Sequence, residues 1–474
     1  MASKSALGVW RIVFSSLVAC WLTNAAVGRD TTTRVSVNRD GVEGNGKSRH
    51  ATLSVNGRFI AFASDATNLV FDDTNGVVDI FTYDRRTGLT ERVSVATGGT
   101  EGDDVSYRIP AITPDGRFVA FYSLATNLVT DDGNGFADVF VRDRQTGTTS
   151  RASISSLRDE GNGNSYDAAL SADGRFVAFW SRASNLVAGD TNGFDDVFVH
   201  DRQTGVTSRV SVSSSGGEGT GKSRMPSISG NGQFVAFWSD ASNLVAHDTN
   251  GYADVFVHDM VSGSTVLVSV SVSGEQGNGD SLLPVLSADG NRVAFASAAS
   301  NLVSSDTNGV LDVFVRDIAA GSICRVSVSS SDQEGNGESK NAFVSPDGQF
   351  VGFQSFATNL VADDGNEDCD IFVRGPELTL EVEPTAGVAA GEQLTFTGWN
   401  GEPRGPVLLW VEAVDGSNTI PIIVASGRFD DARIWSVSFT VPPGFTGHVV
   451  TLRSLGLALS HGASFTNPVK VVFE

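Results

Sequence analysis

Carboxylate and carboxamide side chains recur in this chain at a spacing that oxygen-based chemistry can use. Asp73, Asn75 and Asp79 read D-x-N-G-x-x-D, and the pattern returns at Asp132-Asn134-Asp138, Asp190-Asn192-Asp196, Asp248-Asn250-Asp254 and Asp306-Asn308-Asp312. A sixth copy, Asp364-Asn366-Asp370, carries Glu367 in place of the glycine. Oxygen donors at alternate positions ahead of a glycine suit a hard cation such as Ca2+, which takes six to eight oxygens. The loop offers about three side-chain oxygens and lacks the further acidic residue that an EF-hand-type loop places before its glycine. A second reading is structural: Asn-Gly makes a tight turn, the first Asp caps it, and the last Asp orders the next strand through backbone hydrogen bonds. Both readings stand here. The ring of loops is the candidate binding site; the reading requires no cofactor, with Ca2+ as the alternative.

Other chemistry is thinly represented. A second polar motif, E-G-N-G-x-S, appears at Glu43–Ser48, Glu160–Ser165 and Glu334–Ser339, with degraded copies at Glu101–Ser106, Glu218–Ser223 and Gln276–Ser281. No G-x-S-x-G, H-E-x-x-H or C-x-x-C motif is present. His200 and His258 fall at variable repeat positions, matching Tyr83, Arg142 and Arg316. A carboxylate pair repeated in every unit reads as scaffold, since catalysis needs one asymmetric site. His50, Asp167 and Asn341, which break the consensus in the first strand of their units, are the only hints of a propeller hydrolase or lyase with a channel metal.

The elements that position these loops form a repeat. A glycine after an Asp/Asn turn stands at Gly57, Gly116, Gly174, Gly232, Gly290 and Gly348, at intervals of 58 or 59 residues. A period that regular marks units that bury their apolar faces only against each other. Within Leu170–Ser213 the unit resolves into four strands. The first is brief and tolerates proline (Pro110, Pro226, Pro284), which belongs at a sheet edge. The second, Arg175–Ser181, is apolar on both faces, and the third, Asp196–Asp201, nearly so. The fourth, Ser208–Ser213, alternates. That grading is a propeller blade with its first strand innermost. The last unit has no fourth strand, while a spare copy of it stands at Arg34–Val37. The expectation is an all-β fold: a six-bladed β-propeller over residues 31–374, closed by that N-terminal strand in the last blade. The fourth-strand-to-first-strand loops and the D-x-N-G-x-x-D loops then share one face.

The unit S-x-D-G-R-F-V-A-F-x-S … D-V-F-V-x-D … T-G resembles the TolB-type repeats related to WD propellers, over Arg34–Arg374. The resemblance implies the fold and a platform for partners. It does not carry over the family's envelope partnerships, because the α/β domain that precedes the TolB propeller has no counterpart here.

The flanking segments set the context. Lys4 and Arg11, the apolar run Ile12–Leu22 and the small residues Ala25, Ala26 and Gly28 read as an export signal over residues 1–28. An alternative takes Leu17–Cys20 as a lipobox, which would anchor Cys20 to a membrane. Residues 377–474 hold seven strand-like runs and read as a small Ig-like β-sandwich after a Gly375-Pro376 linker. Cys324 and Cys369 fall at opposite ends of their blades, too far apart for a disulfide. A net charge of -22 excludes nucleic acid as a partner. The reading is therefore an exported (periplasmic, cell-surface or secreted) monomer, a non-enzymatic binding or scaffold protein. It would dock a protein, peptide or glycan on the acidic loop face or in the central channel. The alternatives are the channel-metal enzyme and a calcium-stabilised surface module.

Overall fold

The computed structural model describes residues 33–375, apart from 56, 363 and 367, and the backbone of strands between 381 and 472. The export signal, Cys20 and the start of the expected propeller at residue 31 lie outside the described residues.

Each repeat folds into its own antiparallel sheet, its strands joined by glycine-bearing turns. Gly174, for example, holds φ at +68°, and a Cβ there would lie 2.3 Å from the Phe118 ring of the preceding blade. The period-setting glycine thus serves both the hairpin turn and the blade-to-blade approach.

Blade one is β1 (Ser48–Leu53), β2 (Phe59–Ser64), β3 (Asp79–Asp84) and β4 (Leu89–Arg92). Blade two is β5 (Ser106–Ile112), β6 (Phe118–Ser123), β7 (Asp138–Asp143) and β8 (Thr148–Arg151). Blade three is β9 (Ser165–Leu170), β10 (Phe176–Ser181), β11 (Asp196–Asp201) and β12 (Val206–Arg209). Blade four is β13 (Ser223–Ile228), β14 (Phe234–Ser239), β15 (Asp254–Asp259) and β16 (Thr265–Leu267). Blade five is β17 (Ser281–Leu286), β18 (Arg292–Ser297), β19 (Asp312–Asp317) and β20 (Ser322–Arg325). Blade six is β21 (Ser339–Val344), β22 (Val351–Ser355) and β23 (Asp370–Arg374). Strand order within each sheet follows the chain. First strands touch the first strands of the next blade, from β1 through to β21, so the first strand is the innermost.

Two strands differ from expectation. The fourth strand ends at Arg209 instead of Ser213, because the Ser211 hydroxyl accepts the Val197 N–H and interrupts the ladder. The first strand is longer than expected and bulged: in blade four the register slips between Arg224 and Ser227.

The core is a series of junctions. Ala120, Val139 and Val141 of blade two pack on Val177, Phe179 and Phe198 of blade three. Phe179 and Phe198 face each other across β10 and β11 with ring centroids 5.8 Å apart, and every blade repeats such a pair.

The sixth sheet has three strands among the described residues, without the expected fourth. Ile371 and Val373 of β23 are 60% and 64% exposed, whereas Val139 and Val141 at the same positions of β7 are fully buried. Val35 and Val37 of the N-terminal segment pack on Ile60, Phe62 and Phe81 of blade one. Cys324 and Cys369 are free thiols.

The chain divides between Gly375 and Pro376. In the second unit, β24 (Glu381–Glu383), β25 (Gln393–Gly398) and β28 (Trp435–Thr440) form one antiparallel sheet. A second sheet runs β27 (Ser417–Arg428), β26 (Pro406–Val414), β29 (Val449–Ala458) and β30 (Gly462–Phe465), with β31 (Val469–Val472) also on β29. β30 had no counterpart in the sequence reading.

Candidate functional site

The D-x-N-G-x-x-D loops are brought together with the following loop, but around an arginine. In blade one, Arg92 Nη1 lies 3.2 Å from Asp73, 3.3 Å from Asp79 and 2.7 Å from Glu101. Arg151 gathers Asp132, Asp138 and Glu160 at 3.2, 3.2 and 2.8 Å. Arg209 gathers Asp190, Asp196 and Glu218 at 3.2, 3.4 and 3.0 Å. Arg325 gathers Asp306, Asp312 and Glu334 at 3.3, 3.3 and 3.0 Å. The middle residue is a clasp. Asn75 Nδ2 donates to Asp79 (2.8 Å) and to the Gly102 carbonyl (3.0 Å), while its Oδ1 accepts the Val77 N–H. Ser94 donates to the other Asp79 oxygen at 2.5 Å. These bonds join the two loops, which do share one face.

Burial dominates the electrostatics. Asp79, Asp138, Asp196, Asp254 and Asp312 are fully buried, so these five carboxylates are turned away from solvent. Desolvation pushes Asp73, Asp132, Asp190 and Asp306 up to about 6 despite the adjacent arginine. In the sixth copy, Asn366 still donates to Asp370 at 3.1 Å, but Arg34 pairs with Glu43 on the N-terminal segment. Blade four, with Asp248, Asn250 and Asp254, has Leu267 at the arginine position. Among the described residues, no group of three or more His, Cys, Asp or Glu side chains is arranged to hold a metal.

A second constellation lies on the innermost strands. His50, Arg108, Asp167, Met225, Leu283 and Asn341 occupy the same register, one per blade, and all take φ between 48° and 63°. Left-handed backbone at a non-glycine residue is unfavourable, and six in register follow from the bulge in each first strand. Arg108 reaches across a blade junction to Asp167 at 3.0 Å, and Asp167 also accepts the Trp180 indole N–H at 2.9 Å. Tyr166 lies between Tyr122 and Trp180, with centroids 5.4 and 4.6 Å away. Arg224 sits 4.8 Å over the Trp180 ring and pairs with Asp195. Burial lifts the Tyr122 phenol to about 12, and burial with Arg49 and Arg108 nearby lowers His50.

Of these residues, the sequence singled out His50, Asp167 and Asn341. Arg108, Met225 and Leu283 share their register and were missed, although the signal was visible: one position of a uniform repeat takes a different side chain in every copy. The histidines at variable positions are structural. His200 and His258 are buried, each with Nδ1 2.9 Å from a threonine hydroxyl, and burial lowers His200 to about 4.

No protein-family model matches the chain, and no curated protein does. Among solved structures, TolB from Agrobacterium tumefaciens is similar at 14% identity and a TM-score of 0.38, over 70% of this chain and 91% of that one. The WD40 repeats of RRP9 are similar at 12% identity and a TM-score of 0.26, over 76% of this chain and 79% of theirs. The extracellular domain of a hybrid two-component system from B. thetaiotaomicron gives 9% and 0.35, over 90% of this chain and 50% of that one. At such scores the likenesses settle neither fold nor function, and the propeller rests on the six sheets themselves.

Proposed function

We propose that this is an exported, non-enzymatic binding or scaffold protein that docks a protein, peptide or glycan on the ring of innermost strands. One observation carries the reading. His50, Arg108, Asp167, Met225, Leu283 and Asn341 vary at a single register of an otherwise uniform scaffold, each in a strained conformation. Blades two to four add an arc of Tyr107, Tyr122, Tyr166, Trp180 and Trp238 interleaved with Arg108 and Arg224, the residue types that anchor interfaces. The buried loop carboxylates, by contrast, act as ties between loops. Their Ca2+ reading narrows to blade four, where Leu267 replaces the arginine.

The reading includes a closed ring, with Arg34–Val37 as fourth strand of blade six, an export signal over residues 1–28, and an Ig-like sandwich over 377–474 as a second contact surface. Affinity capture from an envelope or secretome extract tests the docking surface. A partner retained by the full chain and by Asp131→Asn on the loop face, but lost by Arg108→Ala and Arg224→Ala, supports it. Loss on the loop-face substitution alone moves the site to the loops.

A further inference from the structure

Blade four departs from the arginine-centred arrangement at two positions at once. Leu267 stands where the other blades have Arg92, Arg151, Arg209 and Arg325, and Gln276 stands where they have Glu101, Glu160, Glu218 and Glu334. In those four blades a single Nη1 gathers three oxygens at 2.7–3.4 Å. Every one of the three oxygen positions is kept in blade four. Asp254 is held as its counterparts are, by the Ser269 hydroxyl at 2.5 Å and by Asn250 Nδ2 at 2.7 Å. Gln276 Oε1 accepts the Thr249 N–H at 3.2 Å, the bond that Glu101, Glu218 and Glu334 make to Thr74, Thr191 and Thr307. Gln276 Nε2 donates to the His247 carbonyl at 2.9 Å, replacing the arginine Nη2 that reaches the Asp72, Gly189 or Ser305 carbonyl elsewhere.

The amide therefore substitutes for half of the guanidinium and leaves the other half without a substitute. Asp248 is only 8% exposed and has no hydrogen-bond or ion-pair partner among the described residues. Its counterparts Asp73, Asp132, Asp190 and Asp306 all face the arginine Nη1. Asp248 and the nearby Asp280 raise the Asp254 carboxyl electrostatically, on top of burial, to about 6. Losing Arg and Glu together conserves net charge, since three carboxylates with one guanidinium and two carboxylates alone both carry two negative charges. It does not conserve pairing: two buried carboxylates that repel each other are left without the arginine that blades one, two, three and five place beside theirs, which is costly.

We propose that blade four binds a single Ca2+ ion through Asp248, Asp254 and the Gln276 Oε1 atom, with water completing the shell. Oxygen donors of this kind select a hard cation, and two carboxylates with one amide place the dissociation constant at about 0.1–1 mM, in the range of extracellular modules. In blades one, two, three and five an arginine already supplies the positive charge.

Calorimetric titration of the full chain with CaCl2, after EDTA and dialysis, should give one site per chain and a rise in melting temperature that Na+ and K+ at equal ionic strength do not reproduce. The double substitution Leu267→Arg/Gln276→Glu rebuilds the arginine arrangement and should fold with a calcium-free melting temperature at or above the parent's, while losing the Ca2+ response. Gln276→Glu alone adds a third carboxylate and should tighten binding on the order of tenfold. Either of two results overturns the proposal: no heat and no thermal shift up to about ten times that dissociation constant, or a response that survives Leu267→Arg/Gln276→Glu.

Discussion

The Thr90 hydroxyl on β4 donates to the carbonyl oxygen of Val37. Thr149, Thr207 and Thr265 make the same bond to Val95, Ile154 and Val212 at the next three blade junctions. Val37 therefore stands to blade one as the tail of each fourth strand stands to the blade that follows it. The isolated bridge Val37–Glu43 repeats at Val95–Glu101 and in every later copy. On blade one the N-terminal segment thus repeats the contacts that the tails of the fourth strands of blades one to three make with the blade that follows.

Closure makes a prediction that an open arc does not. Ile371 of β23 matches Ile80, which is buried against blade two. If Arg34–Val37 seals blade six onto blade one, Ile371→Ala should cost about 2–5 kcal/mol in chemical denaturation, and deleting residues 31–48 should lower the melting temperature of the whole propeller. With Ile371 left in solvent, the substitution would be nearly silent. Urea unfolding of the two variants and the parent decides between these.

The arginine-centred clusters predict strong coupling. Arg325→Leu leaves Asp306, Asp312 and Glu334 around a buried point with no positive charge, and should destabilise by about 3–5 kcal/mol. Adding Glu334→Gln relieves one of the three charges and recreates the pair of residues found in blade four. The double variant should recover a measurable part of that loss, with a coupling energy of about 0.5–3 kcal/mol in a double-mutant cycle. Additive losses would show that the carboxylates act independently of the arginine.

How far the sequence reaches is clearest at particular residues. The third strand, Asp196–Asp201, has both ends as expected, because it is paired on both sides and buried along its whole length. The fourth strand was overextended because Val210 and Val212 alternate as a strand should. What ends the ladder is the Ser211 hydroxyl, a side chain competing for a backbone donor, and alternation does not register that. The loop triples were legible as units, and the choice between turn and cation site was not. It hinges on Arg92 and its equivalents, which are distant from the loop in sequence and belong to another motif. Leu267 was already visible as the odd member of that motif. The channel ring needed the bulge in each first strand, which places His50, Arg108 and Asp167 at the innermost edge with left-handed backbone.

The repeat glycine gives a sharper test of packing than any polar residue. Gly174→Ala would need φ near +68° and would drive its methyl group to 2.3 Å from the Phe118 ring. Strain and overpacking act together, so a loss of about 2–4 kcal/mol is expected. Gly193→Ala also has positive φ but meets no atom within 4 Å. It should cost only the backbone part, about 1 kcal/mol. Comparable losses at both sites would show that contact with the neighbouring blade contributes little.

Stability should peak on the acid side of neutrality. Asp73, Asp132, Asp190 and Asp306 are pushed up to about 6 by burial, above their ordinary value of 3.8. Between those two values the folded chain binds more protons than the unfolded chain, so these groups favour the fold more as pH falls from about 6 toward 4. Asp84 and Asp143 work in the opposite direction. Hydrogen bonds from Arg58 and Arg117 hold them down to about 2, so the stability they contribute is present above 3.8 and is lost as pH falls toward 2. The melting temperature should therefore rise from pH 7 to about pH 5 and fall steeply below about pH 4. Asp73→Asn and Asp190→Asn should flatten the upper limb by removing the titrating groups, and Arg117→Gln should soften the lower one. A melting temperature that falls monotonically from pH 7 to 5 would mean that the arginines, and not burial, govern the buried aspartates.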